Sequence, residues 1–160
     1  MSRKAPSTAA TRALERLAVP FTAHPYEHVA GADGYGAEAA RALGVAAERV
    51  LKTLVVEADE ALVVAVVPVS TTLDLKALAA TLGAKRVALA APEQAERRTG
   101  YVVGGISPVG QRTPLPLVLD AGALHHPTVF VSGGRRGFDV ELSPADLLRA
   151  TDGRTAEIAR

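Results

Sequence analysis

The chain has 160 residues, 48% hydrophobic and 22% charged, with a formal net charge of +1. That length suits one domain able to bury roughly two-thirds of its unfolded surface, and the composition is globular rather than disordered. There is no cysteine, which excludes disulfides, thiolate-held zinc and a cysteine nucleophile; the balanced charge excludes a broad positive surface but leaves room for a local basic patch.

The opening MSRKAPSTAATR has no apolar h-region and does not read as a signal peptide. The longest apolar run, ALVVAVVPV at 61–69, is about half the length that spans a bilayer. A soluble, cytoplasmic protein without a membrane partner is expected.

Ala10, Ala13, Leu14 and Leu17 fall on one helical face and predict a helix over 7–18. A second helix is expected over 36–43, stopped by Gly44. Strands over 50–56 and 61–67, joined by the polar EADE, read as a hairpin. In STTLDLKALAATLG, Thr71 and Asp74 resemble a capping box opening a helix that Gly83 ends. A strand at 85–90 and a helix from Pro92 to about Arg98, closed by Gly100, come next. Strands are expected at 101–104, 115–120, 128–132 and 138–142, then a helix opened by Ser143, Pro144 and Asp146. Without strict β-α alternation, this order predicts an α+β fold: a single domain over 1–160 with residues 1–6 flexible. It would hold one mixed, mainly antiparallel sheet curled towards a barrel, with about five flanking helices.

Three stretches carry more glycine and polarity than packing requires. In TGYVVGGISPVGQR (99–112), Gly104 and Gly105 allow either a tight turn or close backbone approach to a ligand. In VSGGRRGFDVEL (131–142), Arg135 and Arg136 are either solvated turn residues or forked donors to an anion. There Phe138, Val140 and Leu142 share one strand face, so Asp139 faces either solvent or a polar pocket. HPYEHVAGADGYGAE (24–38) holds His24 and His28, but Pro25 lies between them and no H-E-x-x-H pattern is present, so no metal site is expected. No serine sits on a recognisable nucleophile elbow.

RVLKTLVVE (49–57) poses the sharpest question. Six of its nine residues are Val, Leu or Thr, the composition of a buried strand, yet Lys52 sits among them. An isolated buried ammonium costs several kcal/mol. On a regular strand Lys52 joins Val50, Leu54 and Val56, while Thr53 points the other way with Leu51 and Val55. Both faces are apolar, so Lys52 either snorkels from an edge strand or waits at a pocket mouth for an anionic or carbonyl-bearing ligand.

The segments YEH, VLKTLVV, LDLKALAATLGAKRV, TGYVVGGISPVGQR, LPLVLD and VSGGRRGFDVELSP, in that order, resemble the bacterial YbaK family of aminoacyl-tRNA deacylases. The resemblance runs from about residue 10 to the C-terminus. That family is related to the editing domain of bacterial prolyl-tRNA synthetases and acts in trans on mischarged tRNA, supplying discrimination between small side chains that binding alone cannot. By this resemblance Lys52 is the essential lysine, engaging the terminal adenosine or aminoacyl ester. Thr53, Tyr26, Gly104 with Gly105, Ser132 and Asp139 would line the substrate pocket. Tyr35 stands where the family carries a pocket phenylalanine, keeping the ring and adding a hydroxyl. Arg112, Arg135 and Arg136 are tRNA-contact candidates.

The implied activity is removal of cysteine from Cys-tRNA(Pro) through attack of the substrate thiol on its own ester, with no cofactor or metal. The protein then supplies positioning and electrostatics rather than a nucleophile. Implied partners are the aminoacylated acceptor end of tRNA and prolyl-tRNA synthetase, with no DNA. The near-neutral charge fits weak intrinsic tRNA affinity, the synthetase supplying most RNA contacts. Two other readings stay open: a water-dependent deacylase of another small aminoacyl-tRNA such as Ala-tRNA(Pro), and a non-catalytic tRNA- or synthetase-binding module.

Overall fold

The computed structural model describes residues 5–29 and 34–160. Residues 1–4, most of the segment expected to be flexible, lie outside the described residues. The first helix, α1 (Ala9–Arg16), opens on Thr8, whose hydroxyl accepts from Thr11 N–H while the Thr11 hydroxyl accepts from Thr8 N–H, a reciprocal capping box. After β1 (Thr22–Pro25), α2 (Tyr35–Leu43) ends at Gly44, whose φ of +66° is left-handed. The predicted hairpin forms as β2 (Leu51–Ala58) and β3 (Ala61–Pro68). Its chain reverses at Asp59, itself at φ +56°.

The helix α3 (Leu75–Leu82) is capped by Asp74, which accepts from Ala77 N–H. Thr71 takes no part in this cap; its hydroxyl donates to Pro68 O instead. The strand expected at 85–90 shrinks to β4 (Val87–Leu89) because the Asp59 carboxylate takes the Lys85 and Arg86 N–H groups. The helix α4 (Pro92–Thr99) closes on Gly100. No strand forms over 101–104. Gly105 N–H turns back to Val102 O, and the Tyr101 hydroxyl donates to Val109 O at 2.7 Å. The remaining elements are β5 (Leu117–Asp120), β6 (Val129–Arg135), β7 (Phe138–Leu142), α5 (Pro144–Thr151) and β8 (Arg154–Ala156). The N-cap of α5 is Ser143, which accepts from Asp146 N–H. Pro114 and Pro116 lack the N–H groups a ladder needs, which accounts for the late start of β5.

The strands form two sheets where one was expected: antiparallel β1-β7-β6, and mixed β4-β2-β3-β5-β8. Among the described residues four strand pairings are antiparallel and two, β3-β5 and β5-β8, are parallel. A parallel bridge between Val50 and Phe130 joins the sheets. The fold is thus a single mixed α+β domain.

The main core lies between the sheets. Leu51, Val64, Val66 and Leu119 meet Val131, Phe138 and Val140, with Leu14 of α1 alongside. On the opposite side of β3, Val63, Ala65 and Val67 pack with Leu78 of α3 and with Leu73 and Ile158. Being buried on both faces explains the unbroken apolar run of β3. Each such Val, Leu, Ile or Phe side chain, fully buried, contributes about 1.5–3 kcal/mol. The C-terminal segment is tied in by Asp120, whose carboxylate accepts the N–H groups of Ile158, Ala159 and Gly122.

Candidate functional site

Between α2, the 102–106 loop, α4 and the start of β2 lies a cleft of about 470 Å³. Seven of the predicted site residues line it: Tyr26, Tyr35, Lys52, Thr53, Gly104, Ser132 and Asp139. Its apolar wall, which the sequence reading missed, comes from Val50, Leu54, Val69, Leu89, Ala95 and Ile106 among others. Nothing in the local pattern distinguishes these from ordinary core positions.

β2 reaches this cleft with a free edge. Its register with β3 runs one-to-one from Leu51 to Ala58, with no bulge. On the other edge β6 bridges only at Val50, and β4 pairs from Val56 onward. Among the described residues no strand pairs with 52–55 there. Val50 O accepts from Val69 N–H, while Val55 O accepts from Ala90 N–H on the far edge. Alternation along an antiparallel strand then turns the Thr53 N–H and C=O towards the open edge.

The cleft wraps round that edge. Lys52 enters from the α3-side face and donates to Thr71 O at 2.9 Å; Thr53 enters from the other. Thr53 Oγ1 is buried without a hydrogen-bond partner among the described residues.

Asp139 is placed by β7, opposite His24 of β1 and Ser132 of β6. It is 5% exposed, and among the described residues its carboxylate has no hydrogen-bond partner. Burial raises its pKa from 3.8 to about 7, because charging a carboxyl in a poorly solvated site is costly. The alternative left by the sequence, solvent or pocket, is decided for the pocket. Burial raises the Tyr26 phenol above its ordinary value, and the nearby Asp139 and Glu38 charges push the same way. Ser132 accepts from Gly134 N–H, holding the irregularity that breaks the β6-β7 register between Ser132 and Arg135.

Gly104 has φ +90°, and a Cβ there would lie 2.6 Å from the Tyr35 ring, so only glycine permits the contact. Gly105 does not line the cleft; a Cβ on it would meet the Arg135 backbone at 2.7 Å. Tyr35, 39% exposed, stacks with the His28 ring at 5.7 Å between centroids. His28 Nδ1 is 2.7 Å from Glu38 Oε1, and Glu38 Oε2 accepts from Val29 N–H. Those bonds hold the Glu38 carboxyl below its usual range despite burial. His24 belongs to a separate pair with Glu141 at 2.8 Å, so the two histidines do not share a site.

Arg135 and Arg136 line an adjoining groove of about 420 Å³ with Tyr26, Glu27 and His28. Arg112 lines neither cavity; its side chain lies against Gly100, and its N–H bonds Thr99 O.

A half-buried ammonium, a buried carboxyl without a partner among the described residues and an open strand edge facing one small cleft suit an ester that carries its own ammonium. The chain belongs to the aminoacyl-tRNA editing domain family, whose model matches residues 31–150, as the motifs led us to expect.

It is 39% identical over 153 residues, 94% of this chain and 92% of the other, to an Enterococcus faecalis protein named "Putative Cys-tRNA(Pro)/Cys-tRNA(Cys) deacylase EbsC". Its fold is similar to the crystal structure of "a putative trans-editing enzyme for prolyl tRNA synthetase", with TM-score 0.82 and 28% identity over 98% of this chain and 99% of that one. A hypothetical protein of known structure is similar at TM-score 0.86 and 27% identity, over 96% of this chain and 100% of its own. Among the described residues no helix is long and apolar enough to cross a membrane.

Proposed function

We propose that this chain is a trans-editing deacylase that removes cysteine from mischarged Cys-tRNA(Pro), in the cytoplasm and beside prolyl-tRNA synthetase. The observation that carries this reading is the 39% identity, nearly end to end, with a relative named for that activity. The Lys52 ammonium, which already donates to a carbonyl oxygen, is suited to the ester oxygen as charge builds there. The unpartnered Asp139 carboxyl suits the α-ammonium of the aminoacyl group, and Tyr26, Thr53 and Ser132 border the same space.

In the step itself the substrate thiol gives up its proton and its sulfur attacks the ester carbonyl carbon. The bond from that carbon to the terminal ribose oxygen breaks, and the oxygen takes a proton, leaving tRNA and a cyclic thiolactone. A chain without cysteine needs no nucleophile of its own for this route.

One observation favours a second reading. A carboxyl with a pKa near 7 matches a general base at neutral pH, which would serve water attack on Ala-tRNA(Pro). Presenting tRNA(Pro) charged with cysteine, alanine or serine and following loss of the amino acid separates the two. Clearance of the cysteine ester with release of thiolactone is expected. Survival of Cys-tRNA(Pro) while Ala-tRNA(Pro) is cleared selects the water route, and clearance of none leaves a non-catalytic binding module.

A further inference from the structure

Arg136 leaves the β6-β7 turn and makes two contacts that tie separate walls of the cleft together. Its guanidinium carbon lies 5.1 Å from the centre of the Tyr35 ring, within cation-π range. Its Nε–H donates to Val103 O at 3.0 Å, in the loop that carries Gly104. Just after that bond the loop is close-packed: Gly104 lies against the Tyr35 ring and Gly105 against the Arg135 backbone. Tyr35 is further held by His28, which Glu38 orients. A solvated arginine could lie anywhere on this surface; this one is engaged through both its charge over the ring and its Nε–H, two contacts a lysine ammonium cannot make from one planar group.

We propose that Arg136 is a positioning residue for the cleft: by lying over the Tyr35 ring while donating to the Val103 carbonyl, it fixes that ring against Gly104 and thereby sets how large an aminoacyl side chain the cleft accepts. The inference rests on the deacylase reading for the substrate, but not for the contacts. It separates the side chain of Arg136 from that of Arg135, which lines the adjoining groove, Arg135 meeting the loop through its backbone at Gly105.

The test uses 3′-O-aminoacyl-adenosine esters, which lack the phosphates a merely RNA-binding arginine would need. Arg136→Ala should change the ratio of hydrolysis rates for small and large side chains by about two- to fivefold, the size of losing one exposed interaction of this class. In a Tyr35→Leu background Arg136→Ala should add nothing further, while Tyr35→Phe, which keeps the ring, should retain the wild-type ratio. An Arg136→Ala defect confined to full-length tRNA would make it a phosphate contact and overturn the proposal.

Should the wild-type protein cleave no aminoacyl ester, the deacylase reading fails, and the clasp is judged by nitrogen-15 NMR of the arginine Nε–H. A slowly exchanging Arg136 signal that moves in Tyr35→Leu supports it. A fast-exchanging signal, or one indifferent to Tyr35, overturns it.

Discussion

Lys52 and Thr53, neighbours in the chain, enter one cleft from opposite faces of β2 without any bulge between them. The cleft achieves this by straddling an edge that neither β4 nor β6 covers. A strand edge offers side chains from both faces and unpaired backbone groups between them, so a single dipeptide can surround a small substrate on three sides.

Lys52→Ala should lower kcat/KM for the aminoacyl ester by about 10²–10³-fold, the scale of removing one transition-state donor. Lys52→Arg should not restore it, because a planar fork cannot occupy the place of a compact ammonium. Steady-state rates on charged tRNA(Pro), with circular dichroism to confirm folding, check this; wild-type rates in Lys52→Ala would remove the lysine from the mechanism.

Asp139 should couple function to stability. Its folded pKa is raised to about 7, above the unfolded value. The native state therefore binds the extra proton between about pH 4 and 7, and stability falls as pH rises through that window. Asp139→Asn should leave the melting temperature nearly unchanged at pH 4 and stabilise the fold at pH 8 by roughly 4 kcal/mol. If the carboxylate is the working form, log kcat/KM should rise with pH up to about 7 in the wild-type protein, and the rise should vanish in Asp139→Asn. A melting temperature that drops in the variant at pH 8 would contradict the buried, unpartnered carboxyl.

Thr53→Val keeps the β-branched shape and removes a buried hydroxyl that has no partner among the described residues. The fold should gain about 1 kcal/mol, since a buried, unsatisfied polar group costs on that order, while substrate turnover should fall. Urea melts and kinetics on the same preparation read both. Gain in stability with full activity would assign the role of this position to its edge backbone alone.

Arg135→Ala should weaken binding of uncharged tRNA and reduce the slope of log K against log salt by about one, as expected when one phosphate contact is lost. Binding isotherms at several salt concentrations, with and without prolyl-tRNA synthetase, measure it. An unchanged slope would place the RNA path elsewhere.

Much of the fold could be read locally. The hairpin of β2 and β3 and the helices α3, α4 and α5 carry their own signals: a period, a capping side chain such as Asp74 or Ser143, a left-handed glycine such as Gly83 or Gly100. β1 and β8 could not be read. They have four and three residues and exist because β7 and β5, distant in sequence, offer them hydrogen bonds. The apolar VV of 102–103 suggested a strand, but both valines are exposed in a turn that Gly104 and Arg136 hold.

By itself the sequence determined which residues could do chemistry. A lysine in a strand of valines and leucines and an aspartate on a strand beside a glycine-rich turn are anomalies that pattern alone reveals, and their motifs carry the family. Only the tertiary structure decided that Asp139 faces a cleft rather than water, that Lys52 and Thr53 share it, that Arg112 stands outside it, and that Arg136 clasps Tyr35. The physical reason is range. Caps and periodicities are set by neighbours within a few residues, whereas desolvation of a carboxyl, an uncovered strand edge and a cation-π contact depend on which distant segments arrive beside them, and which do not.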